Sequence, residues 1–291
     1  MRTLLFLAVL IVQEGNARLS CFTWLTRRET PQETALAHVP QAPIKRNNVN
    51  WEPVLQRFSG RDEAKAKLRA SLEAYAPTNT AEFKSLMAFL DSPASEGWKL
   101  VAIDREGSNV CDPSTKTVSI FLKNEPQAVN INSKGATQSD SPAHSFFHEL
   151  WHAKDITEGH PASDFSDTET LNNPINQLSR EYRANRAAYG ASPEAAWHIT
   201  ETQYDSRVRN VEELLPVFKT LDYPMKERLL ESLANLSVTN PTAAQNLHKY
   251  WWREKHKSSW NEAERNRYSD LDPSFNPQDL ARSLLASLAL R

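Results

Sequence analysis

The sequence predicts an α+β fold, mainly helical with one small sheet, and three observations carry that expectation. Two short segments, residues 98–103 and 117–122, run apolar or alternate with the period of a strand. Ahead of them, and almost everywhere after Gly190, apolar residues recur at intervals of three and four, the period of an amphipathic helix. No repeat of fixed length stands out that would point to a solenoid instead.

The elements follow in order. Met1-Arg2-Thr3, an apolar run over residues 4–12 and small residues at Gly15 and Ala17 are expected to form a secretory signal, residues 1–17. The run is too short to span a bilayer as a helix. Arg18, three before Cys21, stands where a lipid-attachment site needs an apolar residue. Residues 18–50 form a polar linker or propeptide-like tail, in which His38 is the one residue suited to shield a metal. Residues 51–291 are expected as the functional domain, with an active-site core over about 81–200 and a helical part over 201–291. Helical spacing begins at Trp51 with Val54, Leu55 and Phe58, continues over residues 64–75 and stops before Pro77. Phe83, Leu86, Met87 and Leu90 mark a further helix. A turn-rich loop over residues 107–114 separates the two strands.

A helix is expected over residues 142–158. Ser139, Asp140 or Ser141 can cap it, Pro142 suits its first turn and Gly159 offers the stop. Later helices are expected over residues 193–198, 211–221, 226–236, 242–260 and 277–290.

The helix over 142–158 carries His148-Glu149-Leu150-Trp151-His152. Imidazoles four residues apart on a helix share one face and can point at one metal ion. Zinc takes neutral imidazole nitrogens, and a catalytic zinc keeps one position open for water. Glu149 lies beside the two histidines, placed to take a proton from that water. Phe147, Leu150 and Trp151 fall on an arc opposite His148, Glu149 and His152, so the polar stripe is expected to line a cleft. A third ligand is required. Glu181, on a helix ending at Gly190, is the first candidate, with Asn185 one turn on as a partner for a ligand imidazole. Glu169, Glu158, His160, Asp155, Asp164 and Cys111 are the competitors. The oxyanion donor stays open among Tyr182, Tyr189, His198, Tyr204 and Arg207.

Composition fits a globular chain. Its 291 residues are 40% hydrophobic and 24% charged, enough for one large or two small domains. A formal net charge of -2 gives no electrostatic case for nucleic-acid or membrane binding. Cys21 and Cys111 allow one disulfide in an oxidising compartment, or two separate thiols. Asn235-Leu236-Ser237 is a glycosylation sequon if a eukaryotic host exposes it. Residues 248–257 mix bases with aromatics, and Leu247, Tyr250, Trp251 and Trp252 read as an apolar packing face rather than a nucleic-acid surface.

With these residues in view, the stretch from Phe83 to Tyr189 resembles the glutamate-type zincin metallopeptidases. It is most similar to the effector-type zinc metallopeptidases of bacterial type III secretion. The likeness rests on His148-Glu149-Leu150-Trp151-His152-Ala153, on Glu181-x-x-Ala184 and on the strand pair upstream. The resemblance implies a zincin-like fold with the small sheet beside the motif helix. It also implies a zinc-dependent endopeptidase in which His148, His152 and Glu181 bind Zn2+ and Glu149 is the catalytic base. Zincins align a peptide substrate along an edge strand, and residues 117–122 are the expected edge.

The leading expectation is an exported, secreted metalloendopeptidase acting on protein or peptide substrates, with no nucleic-acid partner and no membrane after signal cleavage. Two alternatives remain. One is a zinc amidase or deformylase-like hydrolase using Cys111 as ligand, the other a secreted binding protein with a structural zinc site. Oligomeric state is left open.

Overall fold

In the computed structural model, the described residues are 49–75, 81–124, 127–164, 172–190, 192–256 and 270–289. The signal segment, Cys21, His38 and Glu169 lie outside them. Helical spacing from Trp51 lasts only one turn, α1 (Glu52–Gln56), and Phe58 then opens a strand, β1 (Phe58–Ser59). Gly60 explains the change of direction. Its φ is +138°, and a Cβ there would sit 2.4 Å from the Ala102 carbonyl oxygen, so only glycine lets the chain pass this close to the sheet.

Three helices follow, α2 (Asp62–Ala74), α3 (Ala81–Leu90) and the short α4 (Pro93–Glu96). In α2 the buried side chains Ala64, Leu68 and Leu72 keep four-residue spacing, giving the single stripe that a core-facing helix needs. The sheet is completed by β2 (Lys99–Ile103), β3 (Val110–Asp112) and β4 (Thr117–Phe121), in the order β1-β2-β4-β3. β1, β2 and β4 are mutually parallel, and β3 runs antiparallel to β4 with Cys111 opposite Val118.

Two expectations are corrected here. The segment over residues 107–114 is not only a loop, because it contains β3. β4 is therefore not the edge, since β2 and β3 flank it and β3 takes the edge position. A strand of three residues is too short to display alternation. It is bounded by a turn in which Asp112 Oδ1 accepts from the amide of Ser114 at 2.9 Å, local chemistry that dominates the sequence signal.

A two-stranded hairpin, β5 (Ala128–Asn130) and β6 (Thr137–Ser139), leads into α5 (Pro142–Thr157). Then come α6 (Pro174–Tyr189), α7 (Pro193–Gln203), α8 (Asp205–Leu214), α9 (Tyr223–Ala234), α10 (Leu236–Thr239), α11 (Pro241–His256) and α12 (Pro277–Ala289). The expected helix over 211–221 instead ends with α8 at Leu214. Pro216 excludes α geometry from Leu215, whose ψ is 76°, and starts a 3-10 turn over Pro216–Thr220. The chain is thus mostly helical with a small mixed sheet, an α+β arrangement. No helix among the described residues is long and apolar enough to cross a membrane.

Two apolar clusters hold these elements. The first lies between the sheet, α2, α3 and the back of α5, where Trp51, Tyr75, Phe83 and Phe146 surround Phe147 at ring-centroid distances of 4.8 to 5.8 Å. Aromatic pairs in this range add to the stabilisation from their burial. The second lies among the C-terminal helices, with Trp197, Phe218, Leu229 and Leu233 at its centre and Leu247, Tyr250 and Trp251 of α11 packed into or against it. Lys226 is buried there, its Nζ 4.6 Å from the centre of the Trp197 ring. α6 belongs to both clusters: Ala184, Ala187 and Ala188 face the first, and Ile175, Leu178 and Tyr182 the second.

Candidate metal centre

Local sequence sets the two helices that carry the site. α5 begins where the Ser141 hydroxyl accepts from the His144 amide, with Pro142 in its first turn, and the chain leaves it through Gly159 at φ +70°. α6 begins at Asn173, whose side chain accepts from the amides of Ile175 and Asn176, and ends at Gly190 in the left-handed region. The helices pack side by side, so residues four apart on each face the other.

His148 and His152 on α5 and Glu181 on α6 converge. His148 Nε2 is 3.2 Å from His152 Nε2, and Glu181 Oε2 lies 3.3 Å and 3.7 Å from those two atoms. All three residues are buried, and their ligand atoms lie within 4.8 Å of one another. This group can hold a metal ion. A tetrahedral ion with bonds of about 2.0–2.1 Å separates its ligand atoms by about 3.3 Å, close to what is seen.

The tautomer of His148 follows from its neighbours. Thr200 Oγ1 donates its one proton to the Ala196 carbonyl at 2.8 Å, so it must accept from Asn185 Nδ2 at 3.0 Å. That turns Asn185 Oδ1 toward His148 Nδ1, also at 3.0 Å. His148 Nδ1 is therefore the donor, and the Nε2 lone pair is aimed at the metal position.

The same side chains bind protons, with which a metal ion competes. Burial pushes the His148 imidazolium down, but the Glu181 and Glu149 carboxylates outweigh it and raise the pKa. Burial pushes Glu181 up, yet hydrogen bonds from His148 and His152 hold it well below the usual carboxylate range. Glu149 is raised, burial being the main cause and the Glu181 charge a lesser one. His148, His152 and a backbone hydrogen bond from Cys111 oppose the rise. A carboxylate raised in this way is a better base near neutral pH.

The polar stripe of α5 does not simply line an open cleft. His148, His152 and Asp155 are covered by α6, while Ser145 and Glu149 on the same helix are part-exposed. Asp155 is 1% exposed and takes a two-pronged ion pair from Arg183, at 3.0 Å on each oxygen, plus the Trp151 indole at 3.1 Å. It clamps α5 to α6 and is not a ligand. Glu158 is exposed and pairs with Lys154, His160 bonds Glu231 at 3.2 Å, and Asp164 is exposed. The Cys111 side chain packs in the first apolar cluster and is not one of the converging group, so among the described residues no thiol completes the site.

Among the oxyanion candidates the structure brings one to the site. The Tyr204 hydroxyl is 3.4 Å from His148 Nε2 and hydrogen-bonds Glu181, with the Arg207 guanidinium 4.7 Å from the centre of its ring. Burial, then the charge of Glu181, hold its hydroxyl well above the usual phenol range, so it stays a proton donor. Tyr189 lies beside Asp140, Tyr182 faces Glu227 and His198 bonds Tyr223, all away from the metal position. Thr200 was not legible as a site residue, because only the packing of α7 on α6 brings it to Asn185. Asn235 of the sequon is half-buried, and its side-chain amide donates to Glu231.

Compared with protein-family models, curated proteins and solved structures, the chain matches none.

Proposed function

We propose that this protein is a secreted zinc-dependent endopeptidase of zincin type, cleaving peptide bonds in protein substrates. The observation that carries the reading is the trio His148, His152 and Glu181, spaced as tetrahedral zinc ligands with Glu149 beside them. Two imidazoles and one carboxylate leave a fourth position, the pattern of a hydrolytic rather than a structural zinc. When bound, zinc supplies a Lewis acid that polarises the scissile carbonyl and acidifies a water. Glu149 takes the proton from the attacking water and returns it to the departing amine. Tyr204 donates its hydroxyl to the oxyanion that develops on the carbonyl. Asn185 and Thr200 keep His148 in the ligating tautomer.

Glu149→Gln tests the reading. The variant should keep stoichiometric zinc and lose cleavage of an unfolded protein substrate by about a thousandfold or more, and Glu181→Ala should lose zinc while Cys111→Ala keeps it. A zinc-loaded wild type that cleaves no protein or peptide would overturn it.

A further inference from the structure

The edge strand meets the catalytic carboxylate directly. The main-chain N–H of Cys111, the middle residue of β3, lies toward the Glu149 carboxylate on α5 and helps hold its pKa down. Lys99 N–H bonds the Lys116 carbonyl at 2.8 Å and Leu122 N–H bonds the Ile103 carbonyl at 3.0 Å, so the even-numbered residues of β4 turn their main-chain groups to β2. The Cys111–Val118 pair is therefore the kind whose N–H and C=O point out of the ladder, and Val110 and Asp112 turn theirs inward. The side chain of Cys111 faces the opposite way, into the apolar cluster. Cys111 thus serves this site through its backbone.

We propose that β3 is a positioning element for the general base: the Cys111 N–H fixes one oxygen of the Glu149 carboxylate and leaves the other for the attacking water. This deepens the peptidase reading and rests on it. Cys111 carries the one N–H that β3 turns outward, so the edge of this strand is committed to the base. β3 takes only this one N–H from its outer edge for the task, so a single amide decides the geometry.

Two measurements test it on the full chain. In amide hydrogen exchange, Cys111 should be protected although it lies at a sheet edge. Glu149→Ala should speed its exchange at least tenfold while the Val110 and Asp112 amides stay protected. Unprotected Cys111 in the wild type, or no response to Glu149→Ala, overturns the proposal. The second measurement compares Cys111→Ala with its ester counterpart, in which lactic acid replaces alanine at 111 and oxygen replaces the N–H. The ester should lower kcat on a peptide substrate by about 10- to 100-fold, the usual worth of a hydrogen bond to a charged group, with KM and zinc content unchanged. Equal kcat in amide and ester overturns the positioning role alone and leaves the peptidase reading standing. A zinc-loaded wild type without activity overturns both.

Discussion

Asn185 gives the sharpest test of how the site is built. Its side chain is fully buried and stands between the ligand His148 and Thr200, with hydrogen bonds of 3.0 Å on both sides. Asn185→Ala removes the acceptor for His148 Nδ1 and strands that donor in a dry environment, at a cost of about 1–3 kcal/mol. The imidazole then loses what fixes its tautomer, and zinc must select the ligating form from a mixture. Losing such an orienting partner lowers metal affinity by about 10- to 100-fold, or about 1.4–2.7 kcal/mol. Asn185→Asp keeps an acceptor at His148 and lets the Thr200 hydroxyl donate to it instead, so it should bind zinc at least as tightly as the wild type. Competition with a chelator of known affinity reads the zinc dissociation constant, and urea denaturation of the zinc-free proteins separates folding from binding. Affinity of Asn185→Ala within twofold of the wild type would refute the argument, because His148 would then be oriented by something else.

Three further outcomes follow from the same geometry. Burial lowers the His144 pKa from 6.5 to about 4. Between those values the unfolded chain holds a proton that the folded chain lacks, so stability rises with pH and acidification from 6.5 to 4 removes about 3 kcal/mol. Urea titrations of wild type and His144→Gln at several pH values should show that slope flattened in the variant, and parallel slopes would contradict it. Asp155→Ala leaves Arg183 without its buried partner and should cost about 3–5 kcal/mol in denaturation experiments, whereas a loss below about 1 kcal/mol would mean that the pair contributes little to joining α5 and α6. Tyr204→Phe should keep zinc and lower kcat by about a hundredfold, and an unchanged kcat would remove the hydroxyl from the chemistry.

What could be read in the sequence was local. The bounds of α5 followed from a cap among Ser139, Asp140 and Ser141, of which the structure uses Ser141, and from Pro142 and Gly159, because a cap, a proline and a glycine act through the backbone within one turn. Glu181 and Asn185 were legible together, since four-residue spacing on a helix ending at Gly190 puts both on one face. The edge strand was hidden because three residues between Asn109 and the Asp112 turn show no period. Tyr204 could be named only as one of five donors. It sits in the joint between α7 and α8, with φ −129° and ψ 36°, and no spacing rule reports where such a residue points. The cover that α6 lays over the polar stripe of α5 was hidden for a related reason: helical period marks a polar face without saying whether solvent or a charged partner meets it.

α6 is pressed on one side by the sheet half of the molecule and on the other by helices encoded later in the chain. The segment that carries Glu181 therefore cannot be lifted out as a minimal fragment: trimming the chain after α7 would strip Val208, Val211, Leu229 and Leu233 from the cluster that holds Ile175 and Leu178. During synthesis the same dependence acts as a timer. A ribosome-bound chain has both histidines long before the supports for Glu181 emerge, so the three converging side chains come together only late in translation.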